Sequence, residues 1–231
     1  MITVETIRER HSVREYDGGP LDQAEFDALG AVVEECARES GLDIQLVGDN
    51  PEVFNVIARF GLIRGCRTHV AFVVDDAKAG GVVVDEAIGY WGQKIVLAAQ
   101  DMGFNTCWCA LCSRKKSRAV VAPGKKIRLI IAVGHGKTQG FSRKAKSVEA
   151  LSSVECAKAP AWFAAAMEAA QLAPTAMNNQ DFKITLLSDA KTVRIDAPQS
   201  GLNVIDEGIV RCNFEIAANE AGADWHWERD I

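Results

Sequence analysis

Three features of the sequence predict an α+β fold. Residues 68–75 and 127–133 contain continuous apolar runs, which are typical of buried strands. Residues 85–103 carry apolar side chains at helical spacing, which predicts a long helix with one buried face. Residues 182–188 and 192–197 predict a β-hairpin. The length of 231 residues is enough for one sizeable domain or two small ones.

The composition is that of an ordinary globular protein, with 48% apolar and 25% charged residues. The net charge of -5 argues against a nucleic-acid binder, because Lys and Arg are not in excess. The first residues lack the pattern of a signal peptide, and no apolar run approaches bilayer length. We therefore expect a cytoplasmic protein with no membrane partner. Its seven cysteines are then expected to be free thiols.

The remaining elements are predicted from local signals along the chain. Asp22 is expected to cap the second helix and Gly41 to close it. In the first part of the chain we predict helix 4–10, helix 21–40, strand 43–48, helix 51–60, strand 68–75 and helix 85–103. In the second part we predict a basic surface segment 113–121, strand 127–133, helix 162–172, the hairpin and helix 206–222.

Near the N-terminus, two arginines and a serine occupy alternate positions. If this segment is extended, Arg10, Ser12 and Arg14 point to one side, because side chains alternate along a strand. Two guanidinium groups and a hydroxyl then form a phosphate-sized set of donors. A solvated charged loop is the alternative for such a motif in isolation.

A second candidate segment, APTAMNNQDF, occupies residues 173–182 between a predicted helix and a predicted strand. Pro174 ends the helix and sets an extended turn. After it, small residues alternate with amides: Thr175, Ala176, Asn178, Asn179 and Gln180. Small side chains let a flat ligand approach the backbone, and amides can hydrogen-bond the edge of a heteroaromatic ring. An ordinary connecting loop is the alternative.

Two predicted helices are similar to each other. Residues 85–103 begin Asp-Glu-Ala-Ile, residues 206–222 begin Asp-Glu-Gly-Ile, and a tryptophan follows each helix. This similarity suggests a degenerate internal duplication. We therefore predict a first half at residues 1–157 and a second half at 158–231, packed as one compact unit.

Three segments, in this order, resemble motifs of FMN-dependent nitroreductases of the single-chain, pseudo-dimeric type. RHSVREY resembles the family's R-x-S-x-R-x-[FY] element, GFNTCWCAL resembles its G-[LAV]-G-T-C-W loop, and APTAMNNQDF resembles A-P-S-x-x-N-x-Q-P-W. The resemblance spans nearly the whole chain. It implies a nitroreductase-like fold, with a central, mainly antiparallel sheet flanked by helices and two pseudo-repeated halves that mimic the family dimer. The chain would then be a monomeric pseudo-dimer or a homodimer.

The resemblance also implies FMN between the halves and hydride transfer from NAD(P)H to a small acceptor, such as a nitroaromatic or a quinone. No acid or base residue is needed for this chemistry. A backbone N–H near residues 109–111 would face flavin N5, and the N-terminal arginines would hold the phosphate. The expected cofactor contacts are Arg10, His11, Ser12, Arg14, Cys109, Ala110, Leu111, Arg143, Lys144, Pro174, Thr175, Ala176, Asn178 and Gln180.

Other functions remain open at this point. Asn105, Leu111 and Asp181 depart from the family's pattern, which would fit a flavin-binding protein without turnover. A metal or thiol site within residues 107–112 is a second alternative, although the cysteine spacing is not that of two C-x-x-C knuckles. An α+β fold with no cofactor is the third.

Overall fold

The computed structural model describes residues 2–54, 63–155 and 158–229. The chain divides into two compact units, neither of which is continuous in sequence. The four-stranded unit comprises Arg10–Ala79 and Lys94–Ser142. The three-stranded unit comprises Met1–Glu9, Gly80–Gln93 and Arg143–Ile231. The predicted boundary after residue 157 lies within the three-stranded unit, and the division into two repeated halves stays a prediction.

The observed elements follow the predicted order closely. The helices are α1 (Val4–Glu9), α2 (Gln23–Ser40), α3 (Val82–Asp101), α4 (Val148–Leu151), α5 (Ala161–Gln171) and α6 (Asn203–Glu220). The strands are β1 (Asp43–Val47), β2 (Thr68–Asp75), β3 (Asn105–Cys109), β4 (Lys125–Gly134), β5 (Lys183–Leu186), β6 (Thr192–Asp196) and β7 (His226–Trp227). The α+β class is confirmed. No helix in the described part of the chain is long and apolar enough to cross a membrane.

The four-stranded unit is built on an entirely antiparallel sheet with the order β1-β2-β4-β3. Strand β2 lies in the middle and is buried along nearly its whole length, as its continuous apolar sequence predicts. Strand β3 corrects the sequence prediction, which treated residues 104–112 as a loop. Cys107 and Cys109 are buried at alternate positions, and free cysteine packs as a small apolar residue.

Capping residues set the limits of α2 as predicted. The Asp22 side chain accepts a hydrogen bond from the Glu25 backbone, and the Glu25 side chain accepts one from the Asp22 backbone. Gly41 closes the helix in the left-handed conformation. The predicted helix at residues 51–60 is observed only as a short 3-10 turn, Pro51–Phe54. The rest of it lies outside the described residues.

In the three-stranded unit, the predicted hairpin is confirmed as the antiparallel pair of β5 and β6, and β7 adds in parallel to β6. Helices α5 and α6 contribute to an aromatic cluster in which rings stack or meet edge to face. Its members are Trp162, Phe163, Phe214, Trp225 and Trp227.

The two similar helices, α3 and α6, cross at glycines within the three-stranded unit. A β-carbon on Gly89 would lie 2.0 Å from the carbonyl oxygen of Ile205, and one on Gly208 would lie 2.0 Å from that of Glu86. Both backbones therefore approach more closely than any side chain would allow. Each helix begins about one turn before its acidic pair, earlier than predicted. The contact is reciprocal, because each glycine faces a carbonyl of the other helix.

Candidate functional site

The N-terminal arginine segment is extended, as predicted. Ser12 forms a parallel bridge with Thr106 of β3, and the Val13 N–H donates to the Thr106 carbonyl at 3.0 Å. The Tyr16 N–H donates to the Arg64 carbonyl at 2.8 Å. The backbone is thereby fixed on two sides within the four-stranded unit.

Arg10 is buried, with 8% of its surface exposed. Its Nε has no hydrogen-bond partner among the described residues. Burial lowers the pKa of this guanidinium to about 10, while the nearby Cys107 acts in the opposite direction. A buried cation with an unsatisfied donor is costly unless an anion or acceptor pairs with it. The phosphate contact expected of Arg10 stays a prediction at this point.

The neighbouring residues of the segment are partly accessible. Ser12 and Arg14 are half-buried, so their donor groups can reach a ligand from the protein surface. The Nε2 atom of His11 lies 3.0 Å from the Ser142 hydroxyl. A β-carbon on Gly140 would lie only 2.7 Å from the β-carbon of His11. His11 is thus positioned by the segment after β4, and its predicted contact with a cofactor stays a prediction.

The predicted contact loop at residues 109–111 follows the end of β3. Cys109 is buried, Ala110 is half-buried and Leu111 is 66% exposed. The Ala110 carbonyl accepts a hydrogen bond from Arg114 Nη2 at 2.9 Å. The loop is therefore anchored by a cation, while its apolar tip projects toward solvent.

In the three-stranded unit, the segment after Pro174 has unusual backbone conformations. Met177, Asn178 and Gln180 have φ angles of 53°, 59° and 48°. Residues other than glycine rarely adopt positive φ, at a cost of about 1–3 kcal/mol each in sparsely populated regions. Strain of this kind persists only where surrounding contacts impose it. It is concentrated here in the segment that the sequence singles out.

Those contacts come from the two amide side chains and from a basic segment. Gln180 is buried, its Nε2 donates to the Gln171 carbonyl at 2.8 Å, and its Oε1 accepts from the Lys146 N–H at 2.6 Å. The Lys146 ammonium in turn donates to the Gln180 carbonyl at 2.9 Å. Asn178 Nδ2 donates to the Lys144 carbonyl at 2.8 Å.

These hydrogen bonds join two segments that the sequence suggested only as separate contributors. The strained segment and residues 144–146 form one structure, with Arg143 and Lys144 exposed beside it. Both ends of the Gln180 amide are hydrogen-bonded to backbone groups. Its predicted role in contacting a ligand directly stays a prediction, and the structure gives it a scaffolding role.

Sequence reasoning missed Asp206, which lies in the first turn of α6. The Ala176 N–H donates to both of its carboxylate oxygens, at 2.9 and 3.0 Å. Burial raises the pKa of this carboxyl to about 7, while the hydrogen bond from Ala176 acts to lower it. The recurrence of Asp-Glu near the starts of α3 and α6 was the available signal.

The site residues thus form two groups. Arg10, His11, Ser12, Arg14, Cys109, Ala110 and Leu111 lie in the four-stranded unit. Arg143, Lys144, Pro174, Thr175, Ala176, Asn178 and Gln180 lie in the three-stranded unit. Among the described residues, no three or more His, Cys, Asp or Glu side chains are grouped to hold a metal ion.

The antiparallel four-stranded sheet, flanked by helices, is the architecture expected of the nitroreductase class of folds. The sequence matches the family described as "Putative TM nitroreductase" over residues 2–218, and the chain belongs to this family. No curated protein matches the sequence.

Solved structures agree on the fold. A structure from Thermotoga maritima described as a "putative nitroreductase" is 20% identical, with a TM-score of 0.67, and the alignment covers 100% of this chain and 90% of that one. A structure from Desulfovibrio desulfuricans, described in the same words and in complex with FMN, is 18% identical, with a TM-score of 0.51. There the coverage is 66% of this chain and 95% of that one.

Proposed function

We propose that this protein is an FMN-dependent oxidoreductase that transfers hydride from NAD(P)H to a small acceptor, such as a nitroaromatic or a quinone. The observation that carries the proposal is the buried Arg10, whose Nε lacks a partner at the start of an extended R-x-S-x-R segment. The FMN of the Desulfovibrio relative supports the choice of cofactor. Membership of the nitroreductase family supports the choice of reaction class.

The donor set fits a phosphate monoester. Arg10 supplies a desolvated guanidinium, and Ser12 and Arg14 follow it on a fixed extended backbone. A phosphate offers several oxygen acceptors to such donors, and hydrogen bonds to a charged group are stronger than neutral ones. The conformation is fixed before binding, so little of the binding free energy is spent on ordering this segment.

The strained segment fits a flat, polar ring system. Pro174, Thr175 and Ala176 are half-buried, and their small side chains leave the backbone accessible. The amide network holds the chain in a conformation that it would not otherwise adopt. We propose that this segment contacts the flavin through its backbone and small side chains, while Gln180 keeps it in shape.

When bound, FMN supplies the redox chemistry, and the protein supplies binding and orientation. Arg143 and Lys144 are exposed next to the strained segment and add positive charge that suits an anionic cofactor. Cys109, Ala110 and Leu111 are proposed to offer backbone groups to the ring, with the exposed Leu111 near the acceptor. The crossing of α3 and α6 supports the proposal that one chain reproduces the family dimer.

The first test is a visible absorption spectrum of protein that has been incubated with FMN and desalted, recorded before and after anaerobic NADH or NADPH. We expect a retained flavin spectrum that bleaches with one of the nucleotides. A retained spectrum that neither nucleotide bleaches would indicate a flavin binder without turnover. Loss of all flavin on desalting would overturn the cofactor assignment.

A second test locates the phosphate site. Arg14→Ala and Ser12→Ala remove donors from the segment without emptying a buried position, since both residues are half-buried. Loss of a charged hydrogen bond of about 1.5–3 kcal/mol should weaken FMN binding about 10- to 100-fold. Arg64→Ala is the matched control, because this exposed arginine pairs with Glu15 at 3.3 Å beside the same segment. Equal affinity in Arg14→Ala and Arg64→Ala would refute the assignment.

A further inference from the structure

The turn after β3 places two thiols and a guanidinium together in the four-stranded unit. The Cys112 thiol donates to the Cys109 carbonyl at 3.4 Å, and Cys112 packs against the buried cluster that contains Cys109. Arg114 lies beside Cys112, with one nitrogen fixed on the Ala110 carbonyl and its buried Nε without a hydrogen-bond partner in the described structure. The proposed flavin chemistry uses neither thiol.

We propose that Cys109 and Cys112 form a peroxide-sensitive dithiol in which Cys112 is oxidised first and Cys109 closes the disulfide. The two cysteines are three positions apart in a C-x-x-C turn, and the hydrogen bond from the Cys112 thiol to the Cys109 carbonyl holds them on one compact segment, as disulfide formation requires. The inference does not require a bound flavin.

The two cysteines differ in the way that this order of reaction needs. Cys112 is half-buried and Cys109 is buried at the end of β3, so an oxidant in solution reaches Cys112 first. The neighbouring Cys109 thiol and the charge of Arg114 lower the pKa of the Cys112 thiol. The neighbouring Cys112 thiol and burial raise the pKa of the Cys109 thiol, so Cys112 is the first of the two to ionise.

The basic surroundings act in the same direction. Arg114, Lys115 and Lys116 form a short 3-10 turn directly after the thiols, and all three are cationic. A positive field of this kind stabilises a thiolate, which is the nucleophilic form of cysteine. Among the described cysteines, Cys36, Cys66, Cys107 and Cys212 are buried, so none of them is as accessible as Cys112.

The oxidant we name is a hydroperoxide. The Cys112 thiolate attacks one oxygen of hydrogen peroxide, the O–O bond breaks, and sulfenic acid and hydroxide form. That hydroxide removes the proton of Cys109 as water, and the resulting Cys109 thiolate attacks the Cys112 sulfur, so that the S–O bond breaks as the S–S bond forms. The departing hydroxide takes up the proton that Cys112 released on ionising and leaves as the second water. In total two thiols lose two electrons and two protons, and one peroxide becomes two waters.

The test is treatment of the reduced, flavin-free protein with an excess of hydrogen peroxide, followed by intact mass and peptide mapping. We expect a loss of two hydrogen masses within the peptide that contains both cysteines, reversed by a dithiol reductant. Cys112→Ser should abolish this loss. Cys109→Ser should stop at a sulfenic acid on Cys112 that dimedone traps. An unchanged mass after peroxide, or an equal loss of hydrogen in Cys112→Ser, would overturn the proposal.

Two further variants separate this pair from its surroundings. Cys107→Ser changes the cysteine two positions earlier on β3 and should leave the mass change intact. If it abolished the change instead, the pairing we propose would be wrong. Arg114→Gln should slow the oxidation of Cys112 by about tenfold, and Arg114→Lys should restore part of the rate. Equal rates in the wild type and Arg114→Gln would remove the guanidinium from the proposal.

Discussion

Replacing Asp206 by asparagine tests the buried carboxyl that anchors the strained segment. Burial raises its pKa from 3.8 to about 7, so the folded protein binds one more proton than the unfolded chain between these values. Stability therefore falls as the pH rises through this window, because ionising the carboxyl is more costly in the folded state. Asparagine has the same shape, can still accept from the Ala176 N–H and does not titrate.

The size of the effect follows from the width of the window. Each pKa unit corresponds to about 1.4 kcal/mol. Raising the pH from 5 to 7 can therefore lower the free energy of unfolding of the wild type by at most about 3 kcal/mol. Asp206 is partly accessible to water, which reduces the expected change to about 1–3 kcal/mol. Relative to the wild type, Asp206→Asn should therefore gain this much stability between pH 5 and pH 8.

The assay is urea unfolding of both proteins at a series of pH values, with the free energies of unfolding compared at each pH. Asp181→Asn is the matched control, because Asp181 lies in the same segment and is exposed. Its stability curve should run parallel to that of the wild type. A constant difference between Asp206→Asn and the wild type at every pH would refute the reasoning, since it would show that the carboxyl does not change its protonation in this range.

Two further changes test the packing of the three-stranded unit. Arg211→Ala should lower the free energy of unfolding by about 3 kcal/mol, because it removes a buried cation that lies 2.9 Å from the buried Glu86. The control is Arg194→Ala, which removes an exposed ion pair and should cost less than about 1 kcal/mol in the same denaturation assay. Similar losses of stability in Arg211→Ala and Arg194→Ala would argue against burial as the cause. Gly208→Ala should destabilise, because the new β-carbon meets a carbonyl oxygen at 2.0 Å. Gly30→Ala, whose nearest neighbour would lie at 3.9 Å, should stabilise α2 by up to about 1 kcal/mol, and a gain from both changes would contradict the close helix crossing.

Most of the secondary structure was readable because local signals agreed with the tertiary environment. The apolar run of β2 predicted a buried strand, and the Asp22 and Gly41 caps predicted both ends of α2. Strand β3 was missed because two of its buried positions are cysteines. Free cysteine packs like an apolar residue, but it is not a recognised sequence signal of a strand. Helices α3 and α6 start about one turn earlier than predicted, at Val82 and Asn203.

The candidate site residues could also be identified from the sequence. The spacing of Arg10, Ser12 and Arg14 predicted a shared side if their segment is extended, and backbone contacts with neighbouring segments make it extended. The amides after Pro174 were identified as functional candidates, but their partners were not. Spacing along a chain specifies which face a side chain can occupy, and it does not specify what lies opposite that face.

Only the tertiary structure decided which hydrogen-bond partners these residues have. It left the Nε of Arg10 unpaired in a buried position, and it gave both ends of the Gln180 amide to backbone groups. It brought Asp206 under the strained segment, 30 residues away in sequence, and raised its pKa by burial. Hydrogen-bond satisfaction and desolvation depend on packing between distant segments, so local sequence determines the candidate groups and the fold determines their state.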